Sequence, residues 1–169
     1  MSTQAVYEKR GTPVVFTNTG GTKLLNMKGL GAATGRLSAF LDRGEGAAPG
    51  EYEVRAYCSW VANPTVGEAL NVAIVESDGT HTDAGLAYHA TNDAALTLVA
   101  FNALPVVACS VVAHTADTAE KGSNGKVWIT SRYVAIGVYN TSAGKTLTDT
   151  DSVSAVVLTP IYPDIQAAA

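Results

Sequence analysis

The chain has 169 residues, of which 47% are hydrophobic and 15% are charged, and its formal net charge at pH 7 is −4. This composition excludes a disordered chain, and the excess of Ala, Val and Thr over Leu, Glu and Lys argues against a coiled coil. Because β-branched side chains suit a pleated strand, the composition favours one all-β domain.

The first part of the chain is polar and rich in glycine. For residues 1–34 we expect an N-terminal arm or a hairpin, with a small apolar group at Val14–Phe16 and a turn at Thr19–Gly21. The main domain is expected to cover residues 35–169 and to begin with a strand at Arg36–Asp42. Glycine and proline between Arg43 and Gly50 end that strand.

The clearest strand is Glu51–Val61, because its side chains alternate with a period of two. We expect one face to be buried, and it carries Tyr52, Val54, Ala56, Cys58 and Trp60. The other face is expected to meet solvent, and it carries Glu51, Glu53, Arg55, Tyr57 and Ser59.

Further strands follow at intervals of 8–15 residues. They are predicted at Ala69–Val75, Leu96–Phe101, Val106–Ala113, Val127–Tyr139 and Val153–Thr159. Lys121–Gly125 is predicted to be a solvated loop, and Pro160 and Pro163 to end regular structure. About eight antiparallel strands with no convincing amphipathic helix predict a sandwich or a barrel.

The uncharged run Ala94–Ala113 is long enough to span a bilayer. Its interruption at Asn102–Pro105 favours two buried strands over a membrane helix. The N-terminus lacks the apolar segment of a signal peptide, so we expect a protein made in the cytoplasm, with no membrane partner. Cys58 and Cys109 lie among apolar residues, and we expect free, buried thiols rather than a disulfide.

Charge is divided unevenly along the chain. Residues 1–41 carry five cations and one acid, whereas residues 56–120 contain seven acids and no Lys or Arg. This split suggests that the N-terminal part docks on a different surface from the one that the remainder faces, although chance in a weakly charged chain stays open as the alternative. Nucleic acid is not an expected partner, because the main body lacks clustered cations.

Catalytic motifs are missing from the sequence. It has no nucleophile elbow, no phosphate-binding loop and no set of Cys and His with zinc spacing. Asp78, His81 and Asp83, with His89 nearby, could form an acid–base pair or a cation site. A surface turn in which Asp caps backbone amides is the favoured interpretation, because one loop supplies too few oxygen ligands.

Two other patterns have both structural and functional interpretations. Asn140–Ser142 matches the pattern for N-glycosylation, but Asn140 would be glycosylated only if the protein entered a secretory route, which the sequence does not indicate. Four aromatic residues could form a sugar-stacking platform, but their places within strands favour core or subunit contacts. These residues are Tyr57, Trp60, Tyr133 and Tyr139.

Two stretches carry a resemblance to a known family. The first stretch comprises Glu51–Tyr57 and Val66–Thr80, with its Ser-Asp-Gly-Thr turn; the second comprises Ser131–Gly144, Leu147, Val153–Leu158 and Thr159–Asp164. Together they resemble the jelly-roll decoration (cement) proteins of tailed bacteriophages. Residues 1–50 show no such resemblance.

The resemblance implies a single jelly-roll β-sandwich without catalysis or cofactors. It also implies a homotrimer that binds the major capsid protein on the outer surface of the virion and stabilises the shell. Since the N-terminal arm is the basic part, we expect Val6, Tyr7, Lys9 and Arg10 to contact the capsid. Deletion of residues 1–12 should then abolish capsid binding and leave the trimer folded.

Three alternatives remain open at this point. A phage fibre head or another receptor- or carbohydrate-binding jelly roll would need an exposed aromatic groove. A small cupin-like enzyme would need a bound metal. A tail or head-completion protein would share the sandwich and differ in its place on the particle.

Overall fold

A computed structural model describes residues 5–46, 50–150 and 153–166. Within these ranges a five-residue helix, α1 (Leu98–Asn102), accompanies twelve strands. In chain order the strands are β1 (Ala5–Arg10), β2 (Val14–Thr17), β3 (Lys23–Leu24), β4 (Thr34–Leu37), β5 (Leu41–Asp42), β6 (Gly50–Cys58), β7 (Ala69–Ser77), β8 (Ala94–Leu96), β9 (Val106–Val112), β10 (Lys121–Ile129), β11 (Tyr133–Asn140) and β12 (Ala155–Gln166). The expected all-β class is confirmed.

The strands form two sheets. The first sheet has the order β10-β6-β12-β2-β3, with β1 also on β12, and the second has the order β8-β4-β11-β7-β9, with β5 on β11. The described pairings are antiparallel except that β2 and β3 are parallel. Buried side chains from both sheets share one core, including Phe16, Val54 and Val156 from the first sheet and Val72 and Ile136 from the second.

A second apolar cluster covers the outer face of the second sheet. Val75, Ala135 and Tyr139 of that face pack against Phe101 and Leu104 from the segment that contains α1. We expected a strand at Leu96–Phe101, and this prediction is wrong beyond residue 96. The Thr97 hydroxyl accepts a hydrogen bond from the Ala100 N–H at 3.2 Å and starts the helix, which is how an N-cap acts.

The N-terminal segment differs from the arm or hairpin that we expected, because from residue 5 its strands belong to the first sheet. Leu25, Met27 and Leu30 are buried in the main core with Phe16. β1 and β2 run along the same side of β12, and three residues, 11–13, stand opposite two, 159–160. This extra residue is a β-bulge, which bends a strand and redirects its side chains.

The predicted loop after residue 120 also needs correction. Lys121–Gly125 is the start of β10, not a loop, and it pairs with Val54–Cys58. A side chain at Gly125 would overlap the Ala108 carbonyl of β9, so glycine marks a close approach of two strands here instead of a turn.

Strand ends also differ from the prediction. Val127–Tyr139 is divided between β10 and β11, and the Glu76 carboxylate accepts the N–H groups of Thr130 and Ser131 at the turn. Pro160 and Pro163 do not end β12. At Pro163 the strand extends past the start of β6, and among the described residues it pairs with β1 alone. The N–H that proline lacks on the β6 side therefore costs no hydrogen bond of the ladder.

Candidate functional site

The outer face of the first sheet carries polar side chains that could contact a partner. Val54, Ala56 and Cys58 of β6 belong to the core, which confirms the predicted alternation of this strand. The opposite face of β6 therefore presents Glu53, Arg55 and Tyr57. Two residues of the predicted wet face, Glu53 and Ser59, depart from the expected exposure, because just 4% and 7% of their surfaces are accessible.

Glu53 is buried because two arginines cover it. Arg10 Nη1 donates to Glu53 Oε2, and Arg55 Nε donates to Glu53 Oε1 at 2.7 Å. Both arginine side chains remain more than half exposed, at 56% for Arg10 and 60% for Arg55. The carboxylate thus fixes two guanidinium groups at the surface, while most of their N–H groups still point to solvent.

A shallow depression of about 420 Å³ lies beside these arginines. We call it the arginine depression, and its lining includes Arg10, Pro13, Arg55, Tyr57, Val157 and Thr159. Arg10 comes from the end of β1 and Pro13 from the bulge between β1 and β2, and the other four residues come from β6 and β12. Two positive charges stand against the single carboxylate of Glu53, so the local balance favours an anion.

A second set of ion pairs attaches β1 to the far strand of this sheet. Lys126 Nζ of β10 lies 2.9 Å from Glu8 Oε1 and 3.4 Å from Glu51 Oε1. The hydrogen bond with Lys126 lowers the pKa of Glu8, and the bond to Glu8 raises the pKa of Lys126. These groups are exposed, so the pairs orient β1 more than they stabilise the fold.

The four predicted contact residues all lie on β1. Lys9 and Arg10 are exposed, and Arg10 joins the Glu53 network. The backbones of Val6 and Tyr7 pair with Ile165 and Asp164, and their side chains lie outside the described part of the structure. The structure therefore brings Arg10 together with two residues, Glu53 and Arg55, that the sequence analysis had not linked to it.

The acidic loop after β7 is a capped surface turn. Asp78 Oδ1 accepts the N–H groups of Thr80 and His81 at 2.7 Å each, and these bonds hold the pKa of Asp78 at about 2. Asp83 Oδ2 accepts the Glu76 N–H at 2.8 Å. These bonds match the favoured interpretation of the sequence, and no group of three or more His, Cys, Asp or Glu in the described ranges could hold a metal ion.

The aromatic residues do not form one platform. Trp60 is buried in the core between the sheets, and Tyr139 is buried in the second cluster, where its hydroxyl donates to the Ala33 carbonyl. Tyr133 packs against Tyr88 on that same side, with ring centroids 5.2 Å apart. Only Tyr57 borders the arginine depression.

Asn140 and the cysteines are structural. Asn140 is fully buried, so it cannot act as a glycosylation acceptor in the folded protein. Cys58 and Cys109 are free and buried, as expected, and burial raises their pKa values to about 12 and about 11.

Comparisons of the chain with protein-family models, with curated proteins and with solved structures find no match. None of the helices in the described ranges has the length and apolar character needed to cross a membrane.

Proposed function

We propose that this protein is a structural component of a phage virion, a decoration or cement protein that binds the outside of the capsid as a homotrimer. The jelly-roll topology, the trimer and the capsid partner come from the sequence resemblance over residues 51–164. The observed β-sandwich is compatible with them. In this proposal the protein acts by bridging subunits of the shell, without chemistry of its own.

One structural observation carries the choice of docking surface. β1 lies at the edge of the first sheet, where it pairs only with β12 among the described residues. Within the described ranges its other backbone edge is therefore unpaired, and the strand also carries the exposed cations Lys9 and Arg10. An edge strand with open hydrogen-bonding groups and cationic side chains suits attachment to another protein surface.

A trimer would strengthen weak contacts of this kind. Three copies present the same patch around a threefold axis, so that binding of the first copy raises the effective concentration of the other two. Each contact can then be small while the assembly still holds the shell.

A capsid-binding assay tests the proposal. Purified protein is mixed with empty, expanded capsids of the same phage, and the bound fraction is measured by co-sedimentation. We expect the full-length chain to bind and a variant lacking residues 1–10 to lose binding. This truncation ends before the bulge and removes none of the residues assigned to the two apolar clusters. Circular dichroism and sedimentation velocity should show that the truncated protein stays folded and trimeric.

Lys145→Ala serves as a control, because it removes one cation at a turn after β11, away from β1. Undiminished binding by the truncated protein would refute the assignment of β1. A full-length protein that is monomeric at micromolar concentration, or that does not bind capsids, would refute the proposed function.

A further inference from the structure

The arginine depression has the features of a small anion site. Arg10 and Arg55 each use one hydrogen-bonding nitrogen on Glu53, and their other guanidinium N–H groups have no partner in the described structure. Arginine offers five N–H donors in a planar fork, so both side chains have spare donors. Since Glu53 holds both groups in place, little conformational freedom would be lost on binding.

We propose that this depression binds a carboxylate side chain, Asp or Glu, of a partner protein. The guanidinium fork matches a planar carboxylate with two parallel hydrogen bonds. Pro13, Tyr57 and Val157 add apolar surface that can pack against the methylene groups of such a side chain. Under the proposed function the carboxylate would belong to the capsid protein, and only that identification rests on the proposed function.

The charge around the depression favours a carboxylate over a polyanion. The two arginines and Glu53 sum to a single positive charge, and Glu8 and Glu51 lie near Lys126 on the same face. The whole chain has a net charge of −4. One carboxylate can be neutralised at this site, whereas a nucleic acid would bring several phosphates against an acidic protein.

A peptide titration tests this site without capsids. The probe is a fluorescein-labelled peptide that carries a single Glu among Ser and Gly residues, titrated by fluorescence anisotropy at low salt, and the matched control peptide replaces that Glu by Gln. We expect the Gln peptide to bind at least about tenfold more weakly. Arg10→Ala and Arg55→Ala should each weaken binding of the Glu peptide by about tenfold or more, since each removes charge-assisted hydrogen bonds.

Arg55→Lys distinguishes a shaped site from general attraction. It keeps the charge and loses the fork, so we expect it to weaken binding nearly as much as Arg55→Ala. Lys145→Ala removes the same charge elsewhere and should leave binding unchanged. Each arginine variant leaves the other arginine on Glu53, and thermal melts confirm that the variants are folded.

Three results would overturn this assignment: equal binding of the Glu and Gln peptides, unchanged binding in both alanine variants, or stronger binding of an oligothymidine or of inorganic phosphate than of the Glu peptide. Failure to bind capsids, with the peptide results as expected, would instead count against the proposed function alone.

Discussion

Asn140 provides the sharpest test of how one buried amide connects the end of β11 to the segments around it. Its Nδ2 group donates to the carbonyls of Leu30, Gly31 and Lys145 at 3.1, 3.2 and 2.9 Å. Its Oδ1 atom accepts the Ser142 N–H at 3.2 Å. One fully buried amide thus joins the end of β11 to the segment before β4 and to its own following turn.

The cost of Asn140→Ala follows from these bonds. The three carbonyls keep other donors, namely Leu147 N for Leu30, the Thr34 hydroxyl for Gly31 and the Ser142 hydroxyl for Lys145. Ser142 is buried, and among the described residues its N–H has no acceptor other than Asn140. The substitution removes the hydrogen bonds made by the two N–H groups and the one carbonyl of the Asn140 side chain, at about 1 kcal/mol for each group. The Ser142 N–H that is left without an acceptor adds about 1–3 kcal/mol. We therefore expect a loss of about 4–6 kcal/mol.

Urea unfolding followed by circular dichroism at a fixed protein concentration measures this loss. A chain of this length loses roughly 2–4 °C in Tm per kcal/mol, so a parallel thermal melt should shift by roughly 10 °C or more. Asn102→Ala is the control, because Asn102 is exposed on α1, and its effect should be below about 0.5 kcal/mol. An equally small effect of Asn140→Ala would refute the role of this amide.

Three further predictions use other parts of the fold. Gly125→Ala should destabilise the protein by about 1–3 kcal/mol in urea unfolding, because the added methyl group would overlap the Ala108 carbonyl. Gly122→Ala on the same strand is the control and should be nearly neutral, because the nearest atom to its added methyl group is at 3.6 Å. Equal effects of the two substitutions would contradict the close approach at Gly125. Cys58 and Cys109 should not react with Ellman's reagent at pH 8 until the protein is unfolded, because both thiols are buried with raised pKa values, and rapid labelling of the native protein would contradict this. The turn at Asp78 should stay formed at pH values above the ordinary carboxyl pKa near 3.8 and weaken as the pH falls toward about 2, because the folded state lowers this pKa. NMR titration of the Thr80 and His81 amide signals measures the midpoint of this transition. Asp78→Asn should remove the transition, and a midpoint at the ordinary pKa would show that the hydrogen bonds are absent.

The local sequence pattern was sufficient to predict a strand where one of its faces is buried and the other meets solvent. The period of two in β6 identified both its faces. The apolar runs located β7 and β9, but β9 is buried on one face only, because Val107 and Val112 are exposed. The same reasoning failed at Lys121–Gly125, where Gly, Ser and Asn are typical of a turn. Glycine is needed at position 125 because β9 passes close to β10, and that contact joins segments that are distant in sequence.

The candidate site was harder to predict because its parts are distant in the chain. Glu53 and Arg55 share a face through their spacing of two, which the alternation of β6 does predict. Nothing local indicates that Arg10, 43 residues before Glu53, covers the same carboxylate. That contact requires β12 to lie between β1 and β6, and this strand order is set by the topology of the sheet. The basic charge of the N-terminal part was the only early signal. In the structure the two cations of β1 differ: Glu53 partly neutralises Arg10, whereas Lys9 is exposed on the edge strand. In the proposed docking surface on β1, Glu53 would hold one guanidinium in place beside the exposed Lys9, and the held group would offer the geometric selectivity for a carboxylate.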